Sequence, residues 1–577
     1  MRRLLTYIAL VSLPFGSVNA QNLEKIGQED MVTVGGGINF NTVVNQLLGG
    51  QQFRDPFAWT LSGNVNVSIL DVSLPFTFSF SNAGSSYTQP FNMTALHPSY
   101  KKWKAHLGIT SMSFSPYTYQ GLNFAGAGVE YSPDKWKFKA FGGRLKKAIE
   151  YDASINNMNS VSYRRYGFGF STKYEGKFLG SELILFKSYD DGTSLSFAPQ
   201  NPELTVRDNV VVSLGVNAKP FQGFTIKGEI ASSLLTNDVL AKDPTFVSPF
   251  YNGLVRGNQT TESNQAYNAS MDYKIKFFGI GMKYERIDPE YTTLGAVYFN
   301  NDLENITVNP SFTLFKNKAN LNFSTGYQRN NLDNTNATNA RRWIGSMNLS
   351  AQIIKGLSLS ANYSNLSSFT RRNPQADPFY NQLGDTLNYY QVSQNMSTSL
   401  SYAFGDSVKQ SLSLTGSYAQ SENITGRLDD AGAFGLNVTS DTASLPVDVY
   451  NGIFMHRITL SKSGTSIGWS VNGNHSIAMG STNTFVGPGV NLSQRFKKPK
   501  MNLSTGVTYN RQYTGNILAS NVLNYRMGLN YAPEFWDKKY GSVSMSLNGT
   551  MTNRFAVLGT NNTSNITIIA NISYQFK

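Results

Sequence analysis

Four histidines and no cysteine bound the side-chain chemistry open to this chain of 577 residues. Thiolate nucleophiles, disulfides and iron–sulfur ligands are excluded. His97 precedes Pro98 in an expected tight turn, and His106 lies on the strand expected after it. His456 and His475 fall on an adjacent pair of expected strands. None shows the His-Glu-x-x-His spacing that puts two zinc ligands and a general base on one helix face. Serines are abundant, so a serine can meet a histidine by chance, but no third group is set to orient such a base. The triplet Gly35-Gly36-Gly37 precedes a strand pattern rather than a helix, which argues against a phosphate loop. No enzymatic activity, metal or cofactor is expected. Arginine is the remaining group with specific chemistry, because its planar fork pairs with phosphate or carboxylate through two parallel hydrogen bonds.

The elements that must position these arginines are strands. Gly541 to Asn553 puts Val543, Met545, Leu547 and Met551 on one face, and Ser544, Ser546, Asn548 and Thr550 on the other. Leu412, Leu414 and Tyr418 likewise oppose Ser413, Thr415 and Ser417. Leu357, Leu359 and Tyr363 oppose Ser358, Ser360 and Asn362. Successive side chains of a strand point to opposite faces, so each segment has one greasy face and one wet face. A soluble sandwich commonly decorates its outer face with Lys and Glu. Here the polar faces are small and uncharged, which suits a solvated interior. Alternation alone leaves a soluble β-sandwich or β-solenoid open as the alternative.

Short connections such as Leu70-Asp71, Lys355-Gly356 and Lys497-Lys498-Pro499-Lys500 alternate with long ones such as 147–160, 236–263 and 421–448. Tight turns on one side and long loops on the other are the rhythm of a transmembrane barrel. The expected fold is all-β: an antiparallel up-and-down transmembrane β-barrel of about 26 strands, or about 24 if Val32–Val44 is not in the wall. Mean hydropathy is −0.28, as expected when half of every strand faces water. The tryptophans, Trp59, Trp103, Trp136, Trp343, Trp469 and Trp536, fall near expected strand ends, where amphipathic rings gather at a lipid boundary.

Both ends of the chain fit this fold. Arg2 and Arg3 precede a short apolar run, and Val18-Asn19-Ala20 offers small residues before a cut at Gln21. Residues 1–20 therefore read as a signal peptide, 21–31 as a polar tail and 32–577 as the barrel. The last strand puts Ile566, Ile568, Ala570, Ile572, Tyr574 and Phe576 on one face, with Ile569 the exception on the wet face. Ile569 is expected either to pack against lumen contents or to mark a bulge. This strand resembles the C-terminal signal by which bacterial outer-membrane proteins reach their assembly machinery, with Tyr574 and Phe576 as the signal residues. Lys577 after Phe576 departs from the pattern.

Net charge is +13, yet the long connections carry acids such as Asp190, Asp243, Glu290 and Asp430. Lysines gather at the tight turns, where they can reach phospholipid headgroups. Arginines gather at the opposite strand ends. Arg144, Arg164, Arg341, Arg342 and Arg554 are candidates for meeting lipopolysaccharide phosphates or bordering an anion-attracting mouth; pairing with loop acids is the alternative. Arg165, Arg457, Arg495 and Arg526 are candidates for facing the lumen, with pairing to a lumenal acid as the alternative. Basic residues at membrane rims leave little reason to expect nucleic acid as a partner.

Glu29 to Val34 resembles the box by which energised receptors engage TonB. Such receptors also need a large plug domain, and alternation here begins almost at once, so a complete receptor of that kind is not expected. Met112-Ser113-Phe114-Ser115-Pro116-Tyr117-Thr118, with Gly126 to Glu130 and Gly143 to Ala148, is similar to a segment of uncharacterised Bacteroidota outer-membrane proteins. The resemblance implies a large barrel without a TonB plug and carries no activity. The functional expectation is a channel or translocation conduit in the outer membrane. The alternative is a structural or adhesive barrel, with its pore closed, that anchors or helps export a surface protein partner.

Overall fold

A computed structural model describes residues 32–50, 55–82, 92–153, 161–199, 204–241, 254–296, 301–333, 341–365, 368–371, 389–423, 447–478, 481–533, 541–557 and 562–576. The expected signal peptide and tail lie outside these residues, as does Trp536. The alternating segments form the 26 antiparallel strands of one closed barrel, and there are no helices among the described residues. The first strand, Val32–Leu48, pairs with its sequence neighbour Phe57–Ile69 and also with the last strand, Thr563–Phe576. It is therefore a full member of the wall. Phe40 lies opposite Leu61 on one side and Ile572 on the other.

The two-residue period sets the faces. Leu547, Met527 and Val490 lie on the outer face and are 47, 60 and 56% exposed. Their neighbours Asn548, Gly528 and Asn491 point inward. An all-round belt of exposed apolar side chains on one face is costly in water and stable against hydrocarbon. Gly35-Gly36-Gly37 sits inside the first strand rather than before it; Gly36 has φ +102 and approaches the Asn64 carbonyl too closely for a Cβ.

The connections sort to two rims. At the tight-turn rim, Lys355-Gly356 joins Arg341–Ile354 to Leu357–Ser364, and Gly356 adopts φ +85, which a two-residue hairpin favours. Lys102 and Asp134 bridge two such turns at 2.6 Å. The fourth wall strand is split into Met93–Leu96 and Ser99–Tyr100 around His97-Pro98, because proline has no N–H to give the ladder. Ile569 stays in register, facing Val43 and Asn548, and packs against Val43 and Ala58 of the wall itself. It does not mark a bulge.

Facing can be tested directly. Leu547→Arg should destabilise the folded barrel in liposomes by about 2–4 kcal/mol, whereas Asn548→Arg should have little effect. Equal losses in guanidinium unfolding would contradict the assigned faces.

Candidate functional site

At the long-loop rim, strand Trp103–Thr110 does not run straight into its neighbour Phe124–Tyr131. The intervening residues 111–123 turn into the barrel. Pro116 breaks the ladder there, and a local turn replaces it: Ser115 N–H donates to Thr118 Oγ1 (3.2 Å), and Thr118 N–H donates to Ser115 O (3.1 Å). The turn aims aromatic rings at the inner wall. Tyr119 is fully buried, 4.5 Å from the Phe141 ring and 5.5 Å from Phe186. Phe124 lies 4.6 Å from Phe141. Glycines clear the space: a Cβ at Gly128 would strike Met112, and one at Gly169 would strike Phe141.

A second inward segment, residues 288–296, locks the first. Tyr291 Oη donates to Tyr117 O (2.8 Å), and Thr293 Oγ1 donates to Thr118 O (2.6 Å). Gly295–Ala296 and Tyr119–Gln120 form a short parallel pair. Polar groups of the wall hold both segments. Tyr117 Oη donates to Glu285 (2.6 Å) and accepts from Asn268 (3.2 Å), while Ser115 Oγ donates to Glu229. Ser233 Oγ donates to Thr292 O (2.6 Å), and Leu294 N–H donates to Asn209 Oδ1 (3.1 Å). Burial pushes the Tyr117 phenol up from its ordinary range, reinforced by the Glu285 charge, and burial also pushes Tyr291 up. Both remain neutral donors at ordinary pH.

The inner face beside these segments is charged, contrary to the uncharged face expected from the sequence. Several of its charges are paired. Arg165 makes a two-pronged contact with Asp190 (2.7 and 3.0 Å), Lys137 meets Glu175 (2.9 Å) and Lys283 meets Glu285 (3.1 Å). His97 and His106 face each other at 3.0 Å, and His106 contacts Glu130 at 2.7 Å. His456 accepts from Trp469 Nε1 (3.1 Å) on the outer face, and His475 contacts Thr484 (2.7 Å). No three His, Cys, Asp or Glu residues among the described ones are grouped to hold a metal.

Arg457, Arg495 and Arg526 occupy inward positions on the opposite stretch of wall and are exposed there. Arg165 is thus the one lumen candidate found in an ion pair. Arg144, Arg164, Arg341, Arg342 and Arg554 all belong to strand ends at the long-loop rim. Arg164 lies 3.8 Å from Asp191; the side chains of Arg341 and Arg342 are outside the described residues. Arg554 alternates inward, in phase with Arg526. Tyr574 and Phe576 face outward, their rings in a T-shaped contact at 4.8 Å.

The chain is a large, closed, antiparallel β-barrel of 26 strands. No protein-family model matches the chain, and neither does any curated protein. Its solved likenesses include the P pilus usher PapC translocation pore, at 9% identity and a TM-score of 0.39, covering 94% of this chain and 100% of that one. The copper transporter OprC gives 8% identity and a TM-score of 0.39, covering 94% of this chain and 80% of that one. Acinetobacter baumannii OccAB4 gives 11% identity and a TM-score of 0.29, covering 71% of this chain and 98% of that one. Likeness at this level carries no conclusion about substrate.

The inward segments were not legible as such from the sequence. Their one signal is the set of inward glycines, Gly126, Gly128, Gly143, Gly167 and Gly169, on strands that otherwise would have carried larger polar groups. Tyr117→Phe removes the hydrogen bond to Glu285, a loss of about 1.5 kcal/mol locally. Backbone amides of residues 111–118 should then exchange roughly tenfold faster. Raised phenol pKa values mean this anchoring is intact below the ordinary tyrosine value of about 10 and is lost as pH rises further. Exchange that is unchanged in the variant at neutral pH would contradict the anchoring role.

Proposed function

We propose that this chain is an outer-membrane channel or translocation conduit whose lumen is narrowed by residues 111–123 and 288–296. The supporting observation is the contrast within the interior. One side is packed with the inward segments, while inner-face side chains opposite, such as Arg457, Arg526 and Asn530, remain exposed. A barrel of this strand number encloses an aqueous space unless something fills it.

In this reading residues 1–20 direct export, 21–31 form a periplasmic tail and 32–577 form the barrel in a Gram-negative, Bacteroidota-type outer membrane without a TonB plug. Tight turns face the periplasm and long loops face outward. Tyr574 and Phe576 serve the barrel-assembly machinery, and the long-loop arginines meet lipopolysaccharide. No enzymatic step or cofactor is assigned.

Planar-bilayer recording tests the proposal. The folded protein should conduct, and Tyr117→Ala with Tyr291→Ala should raise single-channel conductance by loosening the inward segments. A heat-modifiable, folded barrel without current would overturn the channel. Co-purification of a surface protein with such a silent barrel would favour the structural or adhesive alternative.

A further inference from the structure

The interior is divided by charge. On the strands from Trp103 to Ile287, inward bases lie among inward acids and several are paired. The division is sharp against ten consecutive wall strands, from Val447–Leu460 through Thr563–Phe576 and on through Val32–Leu48 to Val72–Ser81. The one carboxylate within those ten strands is Asp448, which alternates outward and accepts from Tyr418 Oη at 2.9 Å. Their inner face nevertheless carries Arg457, Arg495, Arg526 and Arg554. Among the described residues, no carboxylate lies within ion-pair distance of any of the four.

Strand register arranges these arginines in order. Arg457, Gly468, Asn491, Gly506 and Arg526 lie opposite one another in a single transverse row. Two of the three positions between the arginines are glycine, and Arg457 and Arg526 line one shared cavity with Asn491, Ser504 and Asn548. Arg495 belongs to the row through Asn502, Asn530 and Ser546, which is four residues closer to the tight-turn rim. Arg554 lies opposite Val522, four residues closer to the long-loop rim than Arg526. Four residues of strand are about 13 Å. The Debye length at physiological ionic strength is about 8 Å, so an anion midway between two rows is still within the field of both.

We infer that this wall is an oxyanion track: a solute bearing carboxylate or phosphate oxygens passes along Arg495, the Arg457–Arg526 row and Arg554. The inference rests on the channel reading and adds the class of cargo. Asparagine and serine neighbours supply neutral hydrogen bonds, so an anion exchanges between guanidinium forks without meeting a fixed negative charge. The arginines are exposed rather than desolvated, which keeps binding weak enough for release.

Reversal potentials in a KCl gradient test it on the full-length barrel in planar bilayers. Wild type should prefer chloride over potassium at 0.1 M salt, and inorganic phosphate or acetate should lower the chloride current. Arg457→Gln, Arg495→Gln and Arg526→Gln together should bring the permeability ratio toward unity and abolish the block. Lys137→Gln with Glu175→Gln, on the paired wall, should leave both unchanged. Heat-modifiable migration selects folded barrels for each recording. A cation-preferring or unselective wild type, block by neither oxyanion, or a triple variant that keeps wild-type selectivity would overturn the track while leaving the channel standing. Absence of any current would instead remove the channel itself.

Discussion

Every backbone N–H and C=O in a hydrocarbon layer must find a partner within the protein, and this fold answers that demand by closing. The seam between Val32–Leu48 and Thr563–Phe576 decides whether the sheet has an edge. Twelve successive pairs join these strands, from Gly37 opposite Gln575 to Leu48 opposite Ser564. Thr567 Oγ1 adds a bond to Asn45 across the seam at 2.8 Å. With the edge removed, what each side chain does depends on which way it points. Odd positions of Gly541–Ala556 meet lipid and even ones meet the interior.

Closure at this strand number makes an interior that side chains from the wall alone do not fill. Among the described residues, the chain answers this with two inward segments. Residues 111–123 and 288–296 bring Tyr119, Tyr291 and Phe114 against Phe141 and Phe186, building a soluble-protein core inside the barrel. Charge follows hydration. Beside that core, where water is scarce, Arg165 and Asp190 are paired at 2.7 Å, since a lone buried charge would be costly. Across the lumen, Arg457, Arg495 and Arg526 are exposed, with no carboxylate at ion-pair distance among the described residues. The same residue type thus has a structural task on one wall and a free guanidinium on the other.

Much of the wall was legible because a two-residue period is written directly in the sequence, from Leu357–Ser364 to the last strand. Parity alone also put Arg165, Arg457, Arg495 and Arg526 on the polar face of their strands. It could not distinguish Arg165 from Arg526, because Asp190 sits in a different strand and their meeting is set by register. The inward segments were hidden for a related reason. Met112 to Thr118 carries alternating apolar and polar residues like the strands around it, and only Pro116 interrupts it. Whether such a stretch extends the wall or folds inside depends on space cleared by Gly128 on the next strand and by Gly169 beyond it. His97 and His106 likewise looked unrelated in spacing, yet hairpin pairing brings their Nδ1 atoms to 3.0 Å.

The account stands on one claim: a wall with lipid outside and water inside. The chain has no cysteine of its own, so single cysteines can be placed at will. The decisive measurement is labelling of positions 545 to 551 in liposomes by a charged, membrane-impermeant thiol reagent. Cysteines replacing Ser546, Asn548 and Thr550 should react, while those replacing Met545, Leu547 and Met551 should be protected until the lipid is dissolved. Uniform reaction along the strand, or reaction in the opposite phase, would contradict the account.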